Sequence, residues 1–281
     1  VMHILITDSG VGGLSVVAYA ERFVRTQGFT EPVRLTFANA APANDYGYNS
    51  MPSHAAKIET FSRFLHNVTE RFAPETIYVA CNTLSVLLPE VRLPAVPVKG
   101  IIETGVTLLL NELAAKPASV AMIFGTQTTI DAGTVPRLLE ERGIDASRIV
   151  SQACPGLADT ISEDREGTKA KTEIERCVAA AVAKLPRRDA PIVACLACTH
   201  YGYRKEFFVE ALGDATVINP NESAVGDLFD RGGDVHDIEV EFVTRYAIPD
   251  STIETLSWLL GGISPRTVAA LRGFVHVPDL F

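Results

Sequence analysis

The chain lacks the features that mark membrane, secreted and nucleic-acid-binding proteins. No apolar run approaches the roughly 18–20 residues that cross a bilayer. No basic segment followed by an apolar stretch marks the start of the sequence as a secretion signal. No block of lysine or arginine stands out, and the formal net charge is −9. We therefore expect neither a membrane nor a nucleic acid as partner.

Cysteine is scarce and odd in number, with five residues in a chain of 281. Such a set does not resemble a disulfide framework, so we expect free thiols in a reducing, cytoplasmic setting. Cys154 and Cys177 are interpreted as small hydrophobic packing residues. The content of 47% hydrophobic and 21% charged residues is ordinary for a globular enzyme. The length favours two lobes of about 100–150 residues each.

Short β-rich runs alternate with helical patterns along the whole chain, which predicts an α/β fold with mostly parallel sheets flanked by helices. A proline-rich stretch at 93–97 is the candidate hinge between two lobes. The first lobe is predicted at 1–97 plus 208–281, and the second at 98–207. The apolar, aromatic tail at 273–281 suits docking either on the body of the protein or on another subunit.

The individual elements follow from the same patterns. Strands are predicted at 4–7, 33–38, 76–80, 119–124 and 191–196, and helices include 130–142 and 223–231.

Two cysteines occupy matching settings 117 positions apart (198 − 81 = 117). Cys81 and Cys198 each follow an apolar, strand-like run and an alanine, and small polar residues come directly after each. Ser9 and Thr126 are related by the same offset (126 − 9 = 117). Two pairs with one offset indicate a duplicated α/β unit, so the two lobes are expected to be pseudo-symmetric, with a thiol after an equivalent strand in each.

The predicted strands end at chemically useful side chains. In open parallel sheets, ligands collect outside the carboxyl ends of the strands. If the two copies face each other, Cys81 and Cys198 approach one substrate from opposite sides, in a cleft between the lobes. A thiolate on one face and a thiol on the other can remove and return a proton at one carbon, which is general acid–base catalysis. Nearby donors can bring the pKa of a thiol down from about 8.5 into the working range.

A C-x-x-C motif allows a different chemistry. Cys195 and Cys198 could form a redox dithiol, or could bind zinc together with His200 and Cys81. Cys195 lies inside a predicted strand, however, and the chain has no second C-x-x-C. We therefore expect neither a metal site nor a redox dithiol at this motif.

Five motifs, running in order from the N-terminus to about residue 202, resemble those of the aspartate/glutamate racemase superfamily and most of all its glutamate racemases. They are Asp8-Ser9-Gly10-Val11-Gly12-Gly13, Asp45-Tyr46-Gly47-Tyr48-Asn49-Ser50, Ala80-Cys81-Asn82-Thr83, Gly125-Thr126 with Thr129, and Cys198-Thr199-His200-Tyr201. The two cysteine motifs together are specific, whereas each of the others alone is weak.

The resemblance implies racemisation of an acidic amino acid, with glutamate as first choice, without cofactor or metal, and it suggests a homodimer. The D-glutamate product would supply peptidoglycan synthesis in the cell wall. Cys81 would take the α-proton from the D-enantiomer and Cys198 from the L-enantiomer, while Asp8 and His200 would tune the thiols. The residues implied to bind the substrate are Ser9, Tyr46, Gly47, Asn82, Thr83, Thr126, Thr129 and Thr199.

Four departures from the family pattern leave the substrate open. Asp45 stands where the family usually has proline, and Asn49 where arginine is common. Ser162 occupies the position of an acidic residue, with Glu163 one place later, and Ala197 replaces a glycine. Aspartate or another acidic amino acid is the alternative substrate. A non-catalytic amino-acid-binding homologue is the alternative class, and a single-thiol decarboxylase is disfavoured because both cysteines are present.

Overall fold

The computed structural model describes all 281 residues and divides them into two compact units. Unit 1 comprises Val1–Ile101 and Asn221–Phe281, and unit 2 comprises Ile102–Pro220. The strands are β1 (Met2–Asp8), β2 (Val33–Asn39), β3 (Thr76–Val79), β4 (Val98–Gly100), β5 (Val120–Gly125), β6 (Ile149–Ala153), β7 (Ile192–Ala197), β8 (Thr216–Ile218), β9 (Ile238–Thr244) and β10 (Val275–His276).

Helices connect these strands. The α-helices are α1 (Leu14–Gln27), α2 (His54–Phe72), α3 (Asn82–Ser85), α4 (Ile102–Ala115), α5 (Gln127–Ala132), α6 (Thr134–Glu141), α7 (Leu157–Glu163), α8 (Thr168–Val182), α9 (Lys205–Leu212), α10 (Pro220–Ser223), α11 (Val225–Leu228), α12 (Asp250–Leu260) and α13 (Pro265–Arg272). Short 3-10 helices span Tyr48–Ser50, Ala146–Arg148 and Thr199–Arg204. None of the helices combines the length and the apolar character needed to cross a bilayer.

Each unit is built on one parallel sheet. The order of the strands is β10-β9-β2-β1-β3-β4 in unit 1 and β6-β5-β7-β8 in unit 2, and all the pairings are parallel. Ile4, Leu5 and Ile6 on β1 are fully buried, as expected for a strand whose sheet is covered on both faces. The predicted α/β class, with parallel sheets flanked by helices, is confirmed.

Helix α2 shows how local sequence positions the elements of unit 1. The Ser53 side chain accepts a hydrogen bond from the backbone N–H of Ala56 and so caps the start of the helix. Phe61 and Phe64 lie three residues apart on its buried face. The ring of Phe281 at the chain end packs perpendicular to Phe64, with 5.1 Å between ring centroids. The apolar tail therefore docks on unit 1.

The glycine before α1 is required by packing. A methyl group at Gly13 would lie 2.9 Å from Cβ of Asp8 and 3.0 Å from the ring of Phe37. Both distances are shorter than carbon atoms tolerate. Glycine therefore lets α1 begin directly against the end of β1, where Asp8 and Ser9 lie.

Two features of the chain path differ from the sequence-based expectation. The chain returns to unit 1 at Asn221 and not near 208, because β8 pairs with β7 and so stays in the sheet of unit 2. Strand β9 was not predicted. Its acidic residues alternate with apolar ones in Ile238–Thr244, and only the pairing with β2 and β10 turns that stretch into a strand.

Two predicted helices are shorter in the structure. The helix expected at 130–142 is split into α5 and α6 by Gly133, which adopts the left-handed conformation with φ of 61°. The helix expected at 223–231 is represented by the single turns α10 and α11.

Candidate active site

In unit 1, the ends of β1 and β3 lie side by side and present the first thiol. The backbone N–H of Ala80 donates to the carbonyl oxygen of Thr7 at 2.9 Å, which continues the parallel pairing of these strands. Asp8 is the last residue of β1, and Cys81 precedes the first turn of α3. The carboxylate and the thiol are therefore brought to one edge of the sheet.

The Cys81 thiol lies in a small polar cluster. Its sulfur is 3.1 Å from the Ser9 hydroxyl, which donates to Oδ1 of Asp8 at 3.4 Å. Cys81 is 4% exposed and Asp8 1% exposed. Burial and the nearby Asp8 carboxylate raise the pKa of Cys81 well above its usual value, while the Ser9 hydrogen bond acts in the opposite direction. At neutral pH, Cys81 is consequently a protonated thiol.

The residues that follow Cys81 begin α3 and are buried. Asn82 is 5% and Thr83 2% exposed. The Asn82 amide nitrogen is shielded from solvent and has no hydrogen-bond partner within the protein. Since an unpaired buried donor is costly, this amide is suited to a ligand oxygen.

The loop before α2 contains Tyr46 and Gly47. The Tyr46 side chain is 42% exposed. Gly47 has an ordinary extended backbone with φ of −104°, and no heavy atom lies within 4 Å of the place where a Cβ would stand. The backbone of Gly47 is therefore open to approach.

Tyr48 of the same loop lies in a motif identified from the sequence, but no role was predicted for it. It is 1% exposed, and its hydroxyl has no hydrogen-bond partner within the protein. Burial raises the pKa of the Tyr48 phenol, and the charge of Cys81 raises it further. The phenol therefore belongs to the electrostatic environment of the first thiol. Only its position after Tyr46 and Gly47 hinted at this in the sequence.

In unit 2, the end of β5 presents two hydroxyls. The Thr126 hydroxyl accepts from the backbone N–H of Thr129 at 3.3 Å and so caps α5. The two side-chain oxygens lie 3.1 Å apart. Thr126 thus caps α5, and this geometry is compatible with the expected role as a polar site residue.

The second thiol follows β7. Cys198 precedes the 3-10 helix Thr199–Arg204, and both Cys198 and Thr199 are buried. His200 is half-buried, with its ring 6.3 Å from that of Tyr203. The segment expected to bear the second acid–base group is thus a tight turn at the carboxyl edge of the unit 2 sheet.

Tyr201 fastens this turn to the neighbouring strand ends. Its hydroxyl lies 3.3 Å from the carbonyl oxygen of Gly125 and 3.2 Å from that of Cys154, and it is placed to donate to both. Gly125 is the last residue of β5, and Cys154 follows β6. Because Tyr201 is fully buried, Cys198 is held in register with the ends of three strands.

The other cysteine of the C-x-x-C motif is structural. Cys195 lies inside β7, and its sulfur faces α4, 3.6 Å from where a Cβ of Gly105 would stand. Burial raises the pKa of its thiol to about 12. In a strand, residues three apart point to opposite faces, so Cys195 does not share a face with Cys198.

Comparison with known proteins assigns the family. No protein-family model matches the chain. The glutamate racemase of Aquifex pyrophilus is 31% identical over 226 residues, which cover 79% of this chain and 80% of that protein. This chain belongs to the glutamate racemase family.

Solved structures of glutamate racemases share the fold. The crystal structure from Aquifex pyrophilus is 25% identical with a TM-score of 0.65, and the match covers 92% of this chain and 95% of that one. The structure from Francisella tularensis, solved in complex with D-glutamate, is 18% identical with a TM-score of 0.72, covering 100% and 99%. The resemblance inferred from the motifs is therefore confirmed.

The departures from the glutamate racemase pattern differ in their surroundings. Asp45 and Asn49 are both exposed residues of the loop around Gly47. The Ser162 hydroxyl donates to the carbonyl oxygen of Ala158 in its own helix, at 3.1 Å. The two departures in the loop are thus exposed to solvent, whereas the hydroxyl of Ser162 is bonded within its own helix.

Proposed function

We propose that this chain is a cofactor-independent amino-acid racemase that interconverts L- and D-glutamate. The likeness to the glutamate racemase of Aquifex pyrophilus supports the substrate. The observation that carries the proposal is a buried thiol at the carboxyl edge of each parallel sheet, Cys81 after β3 and Cys198 after β7. Two like acid–base groups are what a reaction needs when its two directions are mirror images.

In the proposed reaction, the thiolate of Cys81 removes the α-proton of the D-enantiomer while the thiol of Cys198 returns a proton to the opposite face. The reverse reaction exchanges the two roles. The raised pKa of Cys81 means that this thiol needs activation before it can act as a base. The ammonium group of a bound amino acid would offset the Asp8 carboxylate, which is one of the causes of that raised pKa.

The remaining proposed roles concern binding. The buried amide of Asn82 has no partner in the protein and is suited to an oxygen of the substrate. The open backbone of Gly47, with the exposed Tyr46, is suited to the side-chain carboxylate. The residues proposed for the remaining polar contacts are Ser9, Thr83, Thr126, Thr129 and Thr199, with His200 tuning Cys198.

Exchange of the α-proton tests the proposal. The protein is incubated with L- or D-glutamate in D₂O, and loss of the α-proton by NMR is followed together with circular dichroism. We expect deuterium incorporation with loss of optical activity, unaffected by a chelator. Cys81→Ser and Cys198→Ser should each abolish racemisation, while Cys195→Ser, which removes a buried thiol outside the proposed chemistry, should remain active.

The outcomes separate the alternatives. Full activity of either Cys81→Ser or Cys198→Ser would reject the two-thiol mechanism, and loss of activity with a chelator would favour a metal enzyme. Exchange of aspartate but not glutamate would assign the alternative substrate, and no exchange of either would favour an amino-acid-binding protein. A cytoplasmic location, supply of D-glutamate to peptidoglycan synthesis and a homodimeric state belong to the same proposal.

A further inference from the structure

Asn39, the last residue of β2, carries a side-chain amide to which the proposed reaction gives no role. Asn39 is the register partner of Asp8 on β1. The backbone N–H of the next residue, Ala40, donates to the carbonyl oxygen of Asp8 at 2.8 Å. Asn39 is fully buried. Parallel pairing therefore places this amide beside the strand end that carries Asp8.

Both ends of the Asn39 amide are paired within the protein. Its oxygen accepts from the backbone N–H of Ala41 at 2.9 Å, and its nitrogen donates to the Tyr246 hydroxyl at 3.0 Å. The first contact is an Asx turn, in which an asparagine side chain bonds the backbone two residues further on. Because the amide has one oxygen and one nitrogen, the two contacts together fix its orientation.

Tyr246 is itself held by the end of β9. The hydroxyl of Thr244, the last residue of that strand, donates to the carbonyl oxygen of Tyr246 at 3.0 Å and accepts from its backbone N–H at 3.4 Å. Thr244 is fully buried, and β9 pairs with β2. The support for Asn39 thus comes from the neighbouring strand of the same sheet.

The loop 40–47 begins at this amide and leads to Tyr46 and Gly47. Ala41 at its start is buried, whereas the tip of the loop is exposed. A tight turn precedes Gly47, in which the backbone N–H of Tyr46 donates to the carbonyl oxygen of Ala43 at 3.3 Å. The buried start is therefore the part of the loop that the body of unit 1 holds, and a shift there displaces Gly47 as well.

We propose that Asn39, held by Tyr246, is a positioning residue that fixes the start of the loop 40–47 and so sets the place of the Gly47 backbone before substrate arrives. The inference rests on the proposed function, in which that backbone receives the side-chain carboxylate of glutamate. A loop that is arranged in advance loses less conformational freedom on binding, which strengthens affinity without new contacts. Asn39 acts through the loop and not on the reacting atoms.

Two variants separate the contacts. Tyr246→Phe keeps the ring and removes the hydroxyl that accepts from the Asn39 amide. Asn39→Ala removes both contacts and deprives the buried N–H of Ala41 of its partner. Tyr19→Phe is the matched control, because its hydroxyl donates to Glu222 at 3.1 Å, within unit 1 but outside the loop.

Hydrogen–deuterium exchange of the protein without ligand measures how firmly the loop is held. Peptic peptides that cover residues 40–48 are compared with those that cover α2. A hydrogen bond changes a local opening equilibrium by a factor of roughly three to ten, so exchange in 40–48 should be about threefold faster in Tyr246→Phe and about tenfold faster in Asn39→Ala. Exchange in α2 should stay at the wild-type rate, which distinguishes a released loop from general destabilisation. If Asn39→Ala does not fold, Tyr246→Phe decides the result.

Racemisation kinetics measure the consequence for the substrate. KM for glutamate should rise about threefold in Tyr246→Phe and about tenfold in Asn39→Ala, with kcat nearly unchanged, because the arrangement of the loop affects binding and not the chemical step. Tyr19→Phe should keep the wild-type values of both parameters, although it also loses a hydrogen bond.

Several results would overturn the proposal. Wild-type exchange in 40–48 in both variants would show that Asn39 does not hold the loop. Faster exchange with an unchanged KM, or a fall in kcat at constant KM, would show that the hold on the loop does not serve substrate binding. An equal rise of KM in Tyr19→Phe would make the effect a general one. A wild type that does not racemise glutamate would overturn the proposed function and the substrate part of this inference, whereas the hold on the loop is decided by exchange, which needs no substrate.

Discussion

The hydroxyl oxygen of Ser9 lies 3.1 Å from the sulfur of Cys81 and 3.4 Å from Oδ1 of Asp8. Ser9 has a single proton to donate. When that proton is directed to Asp8, the Cys81 thiol can donate to the Ser9 oxygen, and when it is directed to Cys81, it stabilises a thiolate. The ionisation of Cys81 is therefore linked to the orientation of one hydroxyl group.

Replacing Ser9 by alanine should make Cys81 harder to ionise. The Ser9 hydrogen bond lowers the pKa of Cys81, so its removal raises that pKa further. A hydrogen bond to a charged group contributes roughly 1.5 kcal/mol, so alkylation of Cys81 at fixed pH should slow about tenfold. The measurement is the rate of iodoacetamide labelling against pH, read from tryptic peptide 72–92, in which Cys81 is the only cysteine.

The control for this change is Ser9→Thr, which keeps a hydroxyl and should keep the wild-type profile. An unchanged labelling profile in Ser9→Ala would mean that the hydroxyl does not stabilise the thiolate.

Asp8→Asn should make Cys81 easier to ionise and so shift the pH dependence of its iodoacetamide labelling to lower pH, opposite to the effect of Ser9→Ala. The Asp8 carboxylate is one cause of the raised pKa of Cys81, and the amide has the same shape without the charge. Alkylation of Cys81 should therefore begin at lower pH than in the wild type. In the proposed reaction, racemisation should nevertheless fall, because the variant no longer couples the charge of the substrate to the thiol. A profile displaced to higher pH would contradict the electrostatic role of Asp8.

The sequence predicted the parts of the site that follow from local pattern. Apolar runs ending in Asp8, Cys81, Thr126 and Cys198 mark strand ends, and parallel pairing then brings each pair to one edge of a sheet. The packing of α8 on β6 could not be predicted, because no local pattern specifies which strand a helix contacts.

The same reasoning explains two other omissions. The burial of Tyr48 is set by the packing of its ring against Phe61 on α2, which no local pattern specifies. Strand β9 was missed because its alternation of acidic and apolar residues is unlike a buried parallel strand, and its place in the sheet comes from β2 and β10. The burial of Tyr48 and the formation of β9 are therefore set by contacts between residues distant in sequence, which local patterns do not reveal.

Gly47→Ala tests the proposed substrate contact without a cost in stability. No heavy atom lies within 4 Å of the added methyl group, and φ of −104° suits alanine. The free energy of unfolding should change by less than about 0.5 kcal/mol. If the side-chain carboxylate of the substrate approaches this backbone, KM for glutamate should rise about tenfold with kcat nearly unchanged, as for lost uniform binding.

The control for this change is Gly262→Ala, another glycine with open space around it in unit 1. Both parameters should stay at wild-type values in that variant. A wild-type KM in Gly47→Ala would remove Gly47 from the proposed binding residues.

Tyr48→Phe should stabilise the free protein. The Tyr48 hydroxyl is buried without a hydrogen-bond partner, and an unpaired buried hydroxyl costs about 1 kcal/mol or more. Phenylalanine keeps the perpendicular packing against Phe61, where the ring centroids are 6.1 Å apart, and removes only the polar atom. Urea unfolding should therefore give a free energy of unfolding about 1 kcal/mol higher than that of the wild type.

If a bound amino acid supplies the missing partner, saturating glutamate should stabilise the wild type more than Tyr48→Phe and reduce this difference. A variant less stable than the wild type without ligand would show that the phenol is already satisfied, and equal stabilisation of both proteins by glutamate would exclude Tyr48 from binding.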